Sequence, residues 1–127
     1  MKKPVAAISL IFLLIITSCG TPPLYRKITA EQAYNMMRDR DDYILLDVRT
    51  DEEFRDEHIE GALLIPHTEI GSRAKTELPD KNALILIYCR AGRRSEIAAR
   101  ELIRMGYTNV YDFGGILDWI YETVGGQ

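Results

Sequence analysis

Two cysteines and two histidines in 127 residues leave little material for metal chemistry. Neither Cys19 nor Cys89 belongs to a Cys-x-x-Cys pair or to a Cys/His cluster with zinc spacing, so no metal site is expected. On the count alone, a Cys19–Cys89 disulfide stays open. Basic residues are in slight deficit, 16 against 19 acidic, for a net charge of −3, and no basic stripe stands out. That argues against nucleic acid as the main partner. Repeats and low-complexity segments are missing too. The longest apolar run, Val5 to Ile16, falls short of the roughly 17–25 residues a membrane-spanning helix needs. What remains is an ordinary globular composition, 46% hydrophobic and 28% charged, at a length that points to one domain.

The apolar run has its own meaning. Lys2 and Lys3 precede it and Ile16-Thr17-Ser18-Cys19-Gly20 closes it. A positive n-region and a short apolar core are the marks of a secretory signal, and the closing residues resemble the bacterial lipobox. The resemblance implies a lipoprotein signal peptide at 1–18, acyl chains on Cys19, and a lipidated tether at 19–24. The domain, residues 25–124, would then be lipid-anchored at the cell envelope. It would face the periplasm or the exterior, on the outer membrane where the cell has one. Each buried CH₂ contributes about 0.8 kcal/mol, so several chains anchor stably. The alternative is an uncleaved anchor helix with Cys19 incidental. With Cys19 lipidated, Cys89 is the one thiol of the mature domain.

Strands alternate with helices along the rest of the chain. Tyr25–Ile28, Tyr43–Val48, Leu63–Ile65, Leu84–Tyr88 and Asn109–Phe113 read as strands. Thr29-Ala30-Glu31-Gln32 and Thr50-Asp51-Glu52-Glu53 are capping boxes opening helices at 30–38 and 51–57. Residues 68–76 are weakly helical. Glu96 to Met105 is the strongest helix. Its apolar face is Ile97, Ala98, Leu102 and Met105, with a Glu96–Arg100 pair and Gly106 at C′. Gly114-Gly115 reads as a turn, Leu117–Glu122 as a last helix, and Val124–Gln127 as a frayed tail. The expected fold class is α/β, a mainly parallel five-stranded sheet with helices on both faces.

The chemistry concentrates at Cys89-Arg90-Ala91-Gly92-Arg93-Arg94-Ser95. A cysteine at the carboxyl end of a buried parallel strand sits where α/β sheets place their sites. A helix N-terminus and neighbouring arginines favour a thiolate over a thiol. A short loop containing glycine can turn successive N–H groups on one point, an anion nest. Arg90 and Arg93 are read as outward-pointing receivers of an anionic substrate. Arg94 either folds back on loop carbonyls or holds the substrate. The bland alternatives are a packed, inert Cys89 and three solvated surface arginines. His58 reads as a packing or hydrogen-bonding residue and Trp119 as core.

Four ordered stretches resemble the single-domain rhodaneses. They are Leu45-Leu46-Asp47-Val48-Arg49; Glu53-Phe54 with His58-Ile59-x-Gly61-Ala62; Tyr88-Cys89-Arg90-x-Gly92-x-Arg94-Ser95; and Gly106-Tyr107-x-Asn109-Val110 through Phe113, Gly114 and Gly115, with Trp119 after it. Glu57 and Glu60 depart from the residues common around the His-Ile pair. The resemblance implies a rhodanese-like fold and a sulfurtransferase with Cys89 as nucleophile. Residues Arg90, Ala91, Gly92, Arg93 and Arg94 bind the substrate, and Asp47 and Arg49 support them, Arg49 by pairing with an acid such as Glu53. It implies no cofactor. The partners would be a small anionic sulfur donor such as thiosulfate and a thiol or cyanide-like acceptor, a protein thiol included. Counting Cys89 as one, Arg94 is sixth. Related phosphatases and arsenate reductases carry a loop one residue longer, so an oxyanion enzyme is the weaker alternative. A non-catalytic binding module at the envelope is the other.

Overall fold

The sequence pattern predicts a buried strand over 84–88 leading into the cysteine loop. In the computed structural model, which describes residues 2–4 and 24–126, that strand is Leu84–Cys89, with all six residues buried. Val5 to Pro23, with the apolar run and Cys19, lie outside the described residues. The elements in chain order are β1 (Arg26–Lys27), α1 (Ala30–Asp39), β2 (Tyr43–Asp47), α2 (Asp51–Asp56), β3 (Leu63–Leu64), a 3₁₀ turn (His67–Glu69), α3 (Ile70–Glu77), β4 (Leu84–Cys89), α4 (Arg93–Arg104), β5 (Val110–Gly115) and a second 3₁₀ turn (Ile116–Asp118). The five strands form one parallel sheet in the order β1-β5-β4-β2-β3.

Alternation along β4 divides the core, because successive side chains of a strand point to opposite faces. Ile85, Ile87 and Cys89 face Ala74 and Leu78 around α3 and Ala98, Ala99 and Leu102 of α4. Leu84, Leu86 and Tyr88 face Ala33 of α1, Ile59, Phe113 and Ile116. Burying each large apolar side chain contributes about 1.5–3 kcal/mol, so β4 anchors both layers. Cys89 thus ends the strand on the α4 side of the sheet.

Both capping boxes form. The Thr29 hydroxyl accepts from Gln32 N–H, and the Thr50 hydroxyl accepts from Glu53 N–H. Gly106 takes φ +96° after α4, which glycine alone adopts without strain.

Five expectations need correcting. Ile97 is 39% exposed and Ala99 takes its place on the buried face of α4; α4 starts three residues earlier than expected, at Arg93. Gly114 and Gly115 lie within β5, where a register shift sets Cys89 against Gly115. No helix forms over Leu117–Glu122. A single 3₁₀ turn forms without a side-chain cap, and aromatic packing sets the path that follows. Tyr121 stacks on Tyr34 at 3.7 Å, and Trp119 packs against Phe113 at 5.6 Å. The tail is not frayed as far as Gly126: Val124 and His58 exchange backbone hydrogen bonds at 2.8 Å, and Gly126 N–H donates to Arg55 O at 3.1 Å.

Candidate functional site

The site lies outside the carboxyl end of β4, where the chain turns into α4. Gly92 makes that turn possible: it is the N-cap of α4 with φ +110° and no side-chain cap, a conformation that strains any L side chain. With that geometry the Gly92 N–H points back and donates to Cys89 Sγ at 3.0 Å. Cys89 is a free thiol, 1% exposed. Its Sγ also lies 3.5 Å from Ser95 Oγ. Fully buried Ser95 reaches Gly92 O at 3.0 Å and Gly114 O at 3.3 Å. One hydroxyl proton cannot serve all three neighbours. With the proton on a carbonyl, the serine oxygen accepts from the thiol; with a thiolate, the proton can turn to sulfur.

Behind this shell, Asp112 is buried among β5 and α4. Its Oδ1 accepts from Gly114 N–H at 2.9 Å. Burial pushes its carboxyl above the ordinary range, against the pull of Gly114 N–H and the Ser95 hydroxyl.

The arginines divide into closed and open. Arg49 is 4% exposed and Asp47 is fully buried. They pair with each other, Nη2 to Oδ2 at 2.7 Å, and Arg49 also donates to Glu57 O at 2.6 Å. Arg49 therefore does not pair with Glu53. The two-residue spacing of Asp47 and Arg49 lets the Asp47 carboxylate also take the Arg49 backbone N–H at 2.9 Å. This places both residues at the end of β2 beside Tyr88, with which Asp47 is in register, and not on the sulfur. The Tyr88 hydroxyl accepts from Ile59 N–H at 3.1 Å; burial foremost, then the Asp47 charge, pushes its phenol above the usual range.

Glu53 instead binds Arg94. The contact is a two-pronged fork, Nη1 to Oε1 at 2.6 Å and Nη2 to Oε2 at 2.8 Å. Arg94 thus turns to a carboxylate of α2 rather than to the loop carbonyls. The pair holds the Glu53 carboxyl down at about 2. Arg90 and Arg93 are exposed, as expected. Arg90 pairs with no carboxylate among the described residues and stands over a cleft of about 530 Å³, which Arg49, Glu53, Asp56, Glu57, Arg94, Ile116 and Leu117 also line. A second cleft, of about 930 Å³, meets the loop at Ala91–Arg93 from the β5 and α1 side.

Three neighbours were not singled out from sequence. Ser95 has no pattern of its own to mark it as a sulfur contact. His67 opens the 3₁₀ turn after β3, and burial, then the Arg94 and Arg93 charges, lowers its imidazole pKa. Glu53 is legible as a cap and as an acid for Arg49, but not as the partner of Arg94. His58 does the work expected of it, its Nδ1 meeting Phe54 O at 2.7 Å and its ring stacking on Phe54. Among the described residues no three His, Cys, Asp or Glu side chains gather closely enough to hold a metal ion.

Comparison with known proteins bears on this arrangement. Residues 29–122 match the rhodanese-like domain family. The chain is 45% identical over 73 residues to the thiosulfate sulfurtransferase PspE of Escherichia coli strain K12, covering 58% of this chain and 70% of that protein. It is 30% identical over 97 residues to the thiosulfate sulfurtransferase GlpE of Coxiella burnetii, covering 76% and 88%. Among solved structures, a rhodanese with anions from E. coli superposes with a TM-score of 0.62 at 42% identity, covering 66% of this chain and 99% of that one.

Proposed function

The chain belongs to the rhodanese-like domain family, and on that premise we propose that it is a sulfurtransferase that carries sulfur on Cys89. The observation that carries this reading is the Gly92 N–H on Cys89 Sγ at 3.0 Å, at the head of α4. The Cys89 thiolate attacks the outer sulfur of a sulfane donor such as thiosulfate. The new S–S bond forms as the donor's own S–S bond breaks, and sulfite leaves with the electron pair. Cys89 then holds a persulfide whose terminal sulfur carries the negative charge. An acceptor thiolate, or cyanide, attacks that sulfur, takes it, and returns the Cys89 thiolate. No net proton, oxidant or reductant is required, which suits two-step covalent catalysis.

The residues support each step. The Gly92 N–H and the Ser95 hydroxyl stand ready where charge sits on sulfur, and preorganised donors of this kind are worth most in a water-poor site. Arg90 is an open cation at the mouth for the sulfonate end of a donor. Lipid anchoring through Cys19 at the envelope belongs to the same proposal and is supported by the pattern of residues 2–20 alone. It has its own test: protein made in a bacterial host should carry acyl chains on Cys19 by mass measurement, Cys19→Ala should carry none, and an unacylated Cys19 would refute the anchoring.

Mass measurement tests the chemistry. Purified protein treated with thiosulfate should gain one sulfur atom and lose it to cyanide, and Cys89→Ser should gain none. No gain with any sulfane donor would sink the proposal.

A further inference from the structure

Three arginines, Arg49, Arg90 and Arg94, line the cleft of about 530 Å³ beside the Cys89 loop, and two are already occupied. Arg49 is closed by Asp47 and Arg94 by Glu53. The second closure is unusual in being held from both sides. Glu53 Oε1 also meets the Thr50 hydroxyl at 3.2 Å and the Thr50 N–H at 3.4 Å. The carboxylate is thereby tied to the head of α2 while it grips the Arg94 fork. Those two Nη donors are the ones a tetrahedral oxyanion would take in bidentate fashion.

We propose that Glu53 is a specificity-determining residue: by occupying the Arg94 fork it removes an oxyanion site from the mouth of the Cys89 loop, leaving Arg90 as the open cation of that cleft. The proposal rests on the sulfur-transfer reading for its meaning. A site that must accept one sulfur and release sulfite gains from holding oxyanions loosely, because a product sulfite clamped by a free arginine fork would block the acceptor. The Glu53 carboxylate stays ionised throughout the neutral and mildly acidic range, so the closure is permanent and not a pH switch. The charged groups facing the pair are Arg49, Asp56, Glu57 and Arg90 around the cleft.

The chain supplies its own control for the helix cap. In α1 the same box is built with glutamine: Gln32 Oε1 accepts from Thr29 N–H at 2.9 Å. Glu53→Gln therefore keeps the cap while removing the charge that closes Arg94.

The mouth charge is read by alkylating Cys89 at low ionic strength with iodoacetate, an anion, and with iodoacetamide, its neutral counterpart. The ratio of the two rates cancels any change in thiolate fraction. One freed cation a few ångströms from the reacting anion should raise that ratio in Glu53→Gln by about fivefold, and about 0.5 M salt should erase most of the rise. Asp56→Asn takes the same charge from the same cleft without touching Arg94 and should shift the ratio less. Glu53→Asp keeps the charge and should stay near the unsubstituted protein. An unchanged or lower ratio in Glu53→Gln overturns the proposal, and so does an equal shift in Asp56→Asn or Glu53→Asp. The readout needs no sulfur transfer, so it fails independently of the persulfide measurement.

Discussion

Gly115→Ala should damage the loop more than the same change at any other glycine of the described residues. Gly115 has φ −135° and ψ 154°, ordinary extended values that any residue adopts, so backbone strain plays no part. Space does. A Cβ there would sit 2.1 Å from Arg90 O, 2.5 Å from Arg90 C and 2.7 Å from Ala91 Cα, where ordinary contacts lie at 3.4–4 Å. The obstacles are backbone atoms of the Cys89 loop, so no side chain can swing aside. Either β5 or the loop must retreat by more than 1 Å. The retreat also pulls on Leu117 N–H, which donates to Arg90 O at 3.2 Å. Overpacking of this kind typically costs about 1–3 kcal/mol. A misplacement of about 1 Å in a reacting geometry can cost about 10²-fold in rate.

The neighbouring glycine separates the two effects. Gly114 has φ +85° and nothing within 4 Å of its would-be Cβ. Gly114→Ala should therefore cost about 1–2 kcal/mol from the left-handed backbone alone. Its sulfur transfer should fall far less than that of Gly115→Ala. Steady-state transfer from thiosulfate to cyanide, with urea melts of both variants, makes the comparison. Unaltered turnover in Gly115→Ala, or equal losses in the two variants, would refute the steric argument.

Three further outcomes follow from the charges. Arg49→Ala leaves a buried Asp47 carboxylate without its partner and should cost about 3–5 kcal/mol in urea unfolding; a loss below about 1 kcal/mol would mean the pair contributes nothing. Glu53 is depressed from an ordinary 4.5 to about 2, so its contribution is fully present above pH 4.5 and disappears as pH falls toward 2. The stability gap between the protein and Glu53→Gln, on the order of 1–3 kcal/mol at pH 7, should shrink over that window, and a gap constant down to pH 2 would contradict the ion pair. His67 is lowered below 6.5 by burial and by Arg94 and Arg93. It should titrate below 6.5 by NMR, and the stability it contributes, complete above 6.5, should decline as pH falls below that value; a midpoint at or above 6.5 would place the imidazole away from the arginines.

Much of the fold was legible because its signals are local. The six apolar and buried residues of β4, the paired capping boxes and Gly106 each carry their geometry within a few residues. Cys89, Gly92 and the outward Arg90 and Arg93 were legible for the same reason. Failures came where distance along the chain decides. Leu117–Glu122 has an acceptable helical composition, but Tyr34 and Phe113 claim its aromatics from far upstream. Arg49 has Asp47 before it and Asp51, Glu52 and Glu53 after it, and only the fold, with Asp47 and Tyr88 in register between β2 and β4, shows Asp47 as the partner. Glu53 satisfied its cap so well that sequence left no reason to look for its bond to Arg94, 41 residues on.

The same cases explain how the loop stays in place. Its backbone is held at Gly92 by the turn into α4, at Arg90 O by Leu117 N–H, and at Gly115 by contact too close for a Cβ. Its arginine at the sixth place is held by α2 through Glu53. Four different elements therefore fix a loop in which Cys89 Sγ has, among the described residues, a backbone N–H and a serine hydroxyl as its hydrogen-bond partners. Neither is an acid or a base strong enough to protonate a leaving group. That arrangement suits a reaction in which sulfite and thiolate leave as stable anions, and it suits poorly the expulsion of an alkoxide. Sulfur transfer is thus favoured by what surrounds the thiol as well as by the length of the loop.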